Sequence, residues 1–250
     1  MENDKTVINV KLAGIPVRIK CKYPKNYDFL LPYATEEEAE FTVEVTADDI
    51  AYTQDHLERS YGKQEWSNFG SYLENVSILF VLSKKLLDYN VLLLHGSALC
   101  MDGEAYIFTA SSGTGKSTHA RFWRETFGER VWMINDDKPM IRIENGKATV
   151  YGTPWDGKHH LSRNASAPLK AIIWLKRDVE NHIEPLDKGD IFPVLMFQSA
   201  WTKRGPLRLK AVQLEIKLLD TAEFYELGCN MDPEAARIAW QGMNEDRSRR

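Results

Sequence analysis

Eight consecutive residues carry the most specific chemistry in this 250-residue chain: Ala110-Ser111-Ser112-Gly113-Thr114-Gly115-Lys116-Ser117. They follow the spacing G-x-x-x-x-G-K-[S/T], with Ala110 standing where the first glycine is usual. Glycines let the backbone turn so that successive amides point at phosphate oxygens. A helix starting near Lys116 would add the positive end of its dipole. Lys116 would set a compact cation against the β- and γ-phosphates, and the Ser117 hydroxyl would ligate magnesium. Ser112, Gly113, Thr114, Gly115 and Thr118 complete the expected cradle. The apolar run Tyr106-Ile107-Phe108 leads into the loop and a helical stretch leaves it, the context a phosphate cradle needs. Alanine at 110 fits provided that position does not require a positive φ.

Magnesium on a phosphate chain calls for a carboxylate from a neighbouring strand. The run Val131-Trp132-Met133-Ile134 ends in Asn135-Asp136-Asp137. Adjacent side chains on a strand diverge, so the two carboxylates divide the work. One as metal ligand and the other as base toward a substrate hydroxyl is the economical division. His95 follows the apolar strand Val91-Leu92-Leu93-Leu94 and opens a hairpin feeding the loop, which makes it a third candidate. Downstream, the segment Thr153 to His160 combines turn formers with cations, and Lys158 is its candidate phosphate or carboxylate clamp, with Arg163 in support. His159 and His160 are neighbours whose side chains point apart, which argues against a shared metal. The polar stretch Gln198 to Pro206 carries Lys203 and Arg204 between helices and reads as a substrate-capturing loop, a third phosphate clamp or a plain solvated connection. Phe122 and Trp123 read as core residues.

Elements must position these groups. Alternating apolar and polar residues over 6–20 predict strands around Ala13-Gly14, and 40–45 has the same period. Residues 1–70 are therefore expected to form a small β-rich N-terminal unit, with 71–250 the phosphate-loop domain. Apolar residues at helical spacing predict a helix over 71–89. Strands are expected at 91–94, 105–109, 131–134, 140–143, 148–151 and 171–175, the fourth and fifth joined by a turn at Asn145-Gly146. Helices are expected near 116–127, 206–219 and 232–243, the last opened by Asp232-Pro233. Hairpins mixed with strand–loop–helix units imply an α/β fold, a P-loop core with a mixed, largely β sheet flanked by helices.

Bulk properties exclude other classes. The net charge of −4 provides no global attraction to nucleic acid or anionic lipid. Cys21, Cys100 and Cys229 are too scattered for a disulfide framework or zinc site. The N-terminus lacks a leader's apolar run and no stretch has the length to span a bilayer, so a cytoplasmic location is the default. Arg247-Ser248-Arg249-Arg250 reads as a frayed, solvated tail.

Taken in order, His95-Gly96-Ser97-Ala98, the loop 110–117 and Asp136-Asp137 resemble the HPr kinase/phosphorylase family and its superfamily, which includes the phosphoenolpyruvate carboxykinases. The resemblance covers residues 91 to about 160, and the segment around Phe224-Tyr225-Glu226-Leu227 is similar to small kinase-like members. It implies ATP and Mg2+ as cofactors, Lys116 and the loop amides on the phosphates, and Ser117 with one Asp on magnesium. It also implies the other Asp as base toward a serine hydroxyl, with Asp136 taken as the base and Asp137 as the metal ligand, His95 beside that carboxylate or touching a metal, and assembly into homo-oligomers. The chain is too short for a carboxykinase and lacks the glycine-rich C-terminal signature of true HPr kinases. The expectation is an ATP-dependent kinase acting on a hydroxyl of a protein, peptide or small molecule. A non-catalytic ATP-binding regulator and a phosphorylase or hydrolase are the alternatives.

Overall fold

A computed structural model describes residues 6–62, 66–199 and 205–249. Its internal contacts divide the chain into Met1–Tyr89 and Asn90–Arg250. The division falls after Tyr89 rather than after residue 70, because the helix expected at 71–89 packs with what precedes it.

The first unit begins with a hairpin of β1 (Val7–Leu12) and β2 (Ile15–Lys20), paired antiparallel from Val7↔Lys20 to Leu12↔Ile15. Ala13 and Gly14 turn it with φ of 50° and 77°, the positive pair that a two-residue loop needs to match strand twist. Three helices and a third strand follow: α1 (Pro24–Leu30), β3 (Phe41–Glu44) parallel to β2, α2 (Ala47–Tyr61) and α3 (Gly70–Lys85). The unit is thus α/β, not the β-rich piece that its first alternating residues suggest. The start of α2 was written in the sequence as a capping box. Thr46 Oγ1 accepts from the Asp49 amide at 3.2 Å, and the Asp49 carboxylate accepts from the Thr46 amide at 3.0 Å. Glu74 of α3 is buried and accepts from the amides of Lys22 and Tyr23 and from Asn26 Nδ2, which ties α3 to the start of α1.

The second unit holds β4 (Val91–Leu93), β5 (Ser97–Met101), β6 (Glu104–Thr109), α4 (Lys116–Phe127) and β7 (Val131–Asn135). The hairpin β8 (Met140–Glu144) and β9 (Lys147–Tyr151) comes next, turned by Asn145 and Gly146 at φ 51° and 72°. The chain continues through β10 (Ser166–Arg177), β11 (His182–Pro185), α5 (Lys188–Ser199), α6 (Pro206–Leu218), β12 (Glu223–Cys229) and α7 (Glu234–Arg249). These strands form one mixed sheet in the order β4-β8-β9-β10-β6-β5-β7, with β12 on β10 and β11 on β12. β10 is longer than its apolar run suggests. Its first residues pair antiparallel with β9, and beyond an irregularity at Leu169/Ala171 it pairs parallel with β6 and β12.

One apolar cluster joins this sheet to α4 and α7: Tyr106 and Phe108 of β6, Ile173 of β10, Tyr225 of β12, Trp123 of α4 and Ala236 of α7. Phe122 and Trp123 are core residues, as their types imply. α7 continues through Arg247 and Ser248 to Arg249, so most of the expected basic tail is helix. Asp232 opens that helix, its Oδ1 accepting from the Glu234 amide at 2.9 Å. Gln198 and Ser199 belong to the last turn of α5, while Lys203 and Arg204 lie outside the described residues. Among the described residues no helix is long and apolar enough to cross a membrane.

Candidate functional site

The sheet order explains how distant segments meet. β5 lies between β6 and β7 and runs antiparallel to both. β6 and β7 therefore end at the edge where β5 begins. That edge receives the loop after β6, the Asp136-Asp137 pair after β7 and His95 just before β5. They surround a cavity of about 870 Å³.

The loop lends Ser112, Gly113 and Gly115 to the cavity wall, and the first turn of α4 lends Lys116, Ser117 and Thr118. Thr114 belongs to the loop but not to the wall; its amide donates to Ser111 O at 3.3 Å. Gly113 and Gly115 take φ of 76° and 123°, conformations that L side chains rarely adopt, whereas Ala110 is not among the positive-φ residues. Ala110 is fully buried in the core cluster, where a methyl packs and a glycine would leave space. The amide end of α4 has no side-chain cap and no acidic residue in its first turn, so no described side chain takes the place of an external anion there. Lys116 Nζ donates to Ala110 O at 3.0 Å, folded back across the loop. Burial holds its ammonium below the ordinary lysine range, with Asp137 and then Asp136 pulling the other way and Lys138 adding to the depression. Arg177, at the end of β10, donates to Gly113 O and ties the loop from the far side.

The two aspartates differ in environment. Asp136 is buried, and its Oδ1 accepts from Ser97 Oγ at 2.7 Å. Gly157 lies against it so closely that a Cβ there would sit 2.9 Å from Asp136 Oδ2. Asp137 is more exposed, and its Oδ1 receives Lys138 Nζ at 2.8 Å. Asn135, fully buried before them, sets the turn. Its Oδ1 accepts the amides of Asp137 and Lys138 at 2.8 and 2.6 Å, and its Nδ2 donates to Thr153 O and Trp155 O. This residue fastens the carboxylates to the segment that carries Lys158.

His95 Nε2 lies 3.3 Å from Asp137 Oδ1, a separation that would make an ion pair if the ring were charged. Burial, together with Lys138 and Lys116, pushes the imidazole down to about 4, so the ring is neutral near pH 7. Gln198 decides which nitrogen holds the proton. Its Nε2 donates to Ala110 O at 3.1 Å, which turns its Oε1 toward His95 Nδ1 at 3.1 Å. Nδ1 is then the protonated nitrogen and Nε2 the acceptor. The same glutamine accepts the His95 amide on its backbone oxygen at 3.0 Å.

Lys158 and His159 reach the wall from the segment after β9, while His160 turns away to Asp156 Oδ1 at 3.2 Å. Arg163 stacks over the Trp132 ring, 5.5 Å from its centroid, and is not part of the wall. Sequence reasoning assigned no role to Ser97, Asn135, Arg177 or Gln198, and it passed over Arg121 and Arg124, which line the cavity from α4. The two arginines were visible at helical spacing from Ser117. Gln198 had no local signal, because its meaning comes from contacts with residues far away in sequence.

No family model matches the chain, and no curated protein matches it. Among solved structures it is similar to the HPr(Ser) kinase/phosphatase from Coxiella burnetii, with 10% identity over 62% of this chain and 93% of that one, at a TM-score of 0.40. A likeness at that level assigns neither an activity nor a role to any residue.

Proposed function

We propose that this chain is an ATP- and magnesium-dependent phosphotransferase that moves the γ-phosphoryl group to a hydroxyl of a protein, peptide or small molecule. The observation that carries the reading is the convergence of the phosphate-type loop, the two aspartates and His95 on one cavity at one sheet edge. The donors fit the groups invoked. Uncapped amides and Lys116 suit phosphate oxygens, and the hard oxygens of Ser117 and Asp137 suit magnesium. Among the described residues no cluster of three or more His, Cys, Asp or Glu forms a metal cage. Magnesium held partly by substrate phosphates needs only one or two protein carboxylates. When bound, it would neutralise and orient the phosphates.

The chain's own residues divide the remaining work. Lys116 balances charge on the transferring phosphoryl group. Asp137 exerts more pull on Lys116 than Asp136 does, which suits the metal-ligand role beside the phosphates. Asp136, oriented by Ser97, takes the proton of the acceptor hydroxyl as its oxygen bonds to phosphorus and the bond to the departing diphosphate breaks. Lys138 holds Asp137 in place, neutral His95 stands beside it with an unprotonated Nε2, and Lys158 on the cavity wall serves the acceptor.

Calorimetric titration with ATP and magnesium, followed by transfer of labelled phosphate to serine-containing acceptors, tests this. Lys116→Ala is expected to weaken nucleotide binding at least about tenfold. Asp136→Asn is expected to keep binding and lose at least about a hundredfold in transfer. Equal binding by wild type and Lys116→Ala would remove the basis of the reading. Tight binding with no transfer, unchanged by Asp136→Asn, would make the chain a nucleotide-sensing regulator instead.

A further inference from the structure

The cavity extends beyond the groups that a nucleotide's phosphates require. Ser117, Arg121 and Arg124 stand at i, i+4 and i+7 of α4, one face of the helix, and all three line the wall. Ala120, on the same wall, contributes only a methyl. At 1.5 Å rise per residue, Arg124 lies about 12 Å along the helix axis from Lys116, well past the amide end that faces the loop.

The charges there are not balanced from within. Asp136 is engaged by Ser97 and Asp137 by Lys138. Arg121 pairs with Glu125 at 3.0 Å, an exposed contact that yields readily to a better partner. Arg124 makes no ion pair among the described residues, and its Nε is shut off from solvent with no hydrogen-bond acceptor. A buried guanidinium N–H left without an acceptor is unfavourable, and a planar oxyanion is the group whose geometry matches that fork. Lys158 and His159 line the same cavity, and Met133 and Leu161 add an apolar patch to its wall.

We infer that this α4 wall is an acceptor subsite for an oxyanion, so that the phosphoryl acceptor carries a carboxylate or phosphate beside its hydroxyl and a short apolar stem. The inference rests on the phosphotransfer reading of the same cavity and adds the substrate class. A neutral polyol would leave Arg124 unpaired and is selected against for that reason.

Inorganic phosphate serves as probe, titrated into protein saturated with ADP and magnesium and followed by calorimetry. Wild type is expected to bind phosphate while ADP is bound. Arg124→Gln should weaken that phosphate at least about tenfold while ADP affinity changes less than about twofold. Arg124→Lys keeps the charge but not the fork and should fall between the two. The subsite is overturned if ADP-saturated wild type takes up no phosphate. It is equally overturned if Arg124→Gln weakens ADP as much as phosphate, which would make Arg124 a nucleotide residue. Lys116→Ala separates the two ideas: phosphate binding that survives this change and is lost in Arg124→Gln supports the subsite even if nucleotide binding fails everywhere.

Discussion

His119 lies three residues beyond Lys116 on α4 and turns the opposite way, into the core. Its Nε2 accepts from Trp123 Nε1 at 2.9 Å, and its ring meets Phe108 edge-on with centroids 4.7 Å apart. The proton therefore sits on Nδ1, a buried atom without a partner among the described residues. Burial pushes the imidazole from 6.5 down to about 3. The folded state disfavours the charged ring, so the associated stability is full above pH 6.5 and is lost as pH falls toward 3. Between pH 6.5 and 4 this one group should remove on the order of 3 kcal/mol. Denaturant melts of wild type and His119→Leu across that range check it. The variant should be less stable at pH 7.5, because the Trp123 bond is gone, yet show a shallower acid slope. Identical slopes would mean that His119 is not buried neutral. The His95 ring, held at about 4, leaves part of the slope in both proteins.

Elements whose signal is local were readable in the sequence: the β1–β2 and β8–β9 hairpins from their turn residues, α4 from its period, and the loop from its spacing. The placement of the catalytic candidates was only half readable. Strand ends on a shared edge were foreseeable, but the insertion of antiparallel β5 between β6 and β7 depends on long-range pairing. That insertion is what brings Ser97 to Asp136 and His95 to Asp137. The close approach of the segment after β9 was equally hidden. Gly157 meets Asp136, and a Cβ there would lie 2.9 Å from its Oδ2 and 3.1 Å from its backbone oxygen. Gly157→Ala must move the carboxylate or the segment. Because positioning errors of this size cost roughly ten- to a hundredfold in rate, transfer should fall by that much. Nucleotide affinity should stay nearly constant, since Lys116 and the loop belong to other elements. Full transfer activity in Gly157→Ala would detach Asp136 from catalysis.

At the scale of the molecule, the division after Tyr89 separates the first unit from every residue that lines the cavity, of which His95 is the earliest. The second unit has the attributes of an independent domain: about 160 residues, a typical size, and its own apolar cluster across β6, β10, β12, α4 and α7. Its first strand is secured at its own start, because Asn90 O accepts the Ile143 amide at 3.0 Å. A fragment of residues 90–250 is therefore expected to unfold cooperatively and to bind ADP with magnesium within about threefold of the full chain, the spread that context alone introduces. Circular-dichroism melts and calorimetry on the two proteins make the comparison. A fragment that melts cooperatively but has lost nucleotide would show that the first unit contributes to the site. If nucleotide binding is retained while phosphate uptake in the ADP-bound state disappears, the first unit would be implicated at the acceptor side alone. The 71–89 helix makes this a sharp comparison. Counted with the loop by its position in sequence, it belongs by its contacts to the first unit, so a cut before it and a cut after it predict different proteins.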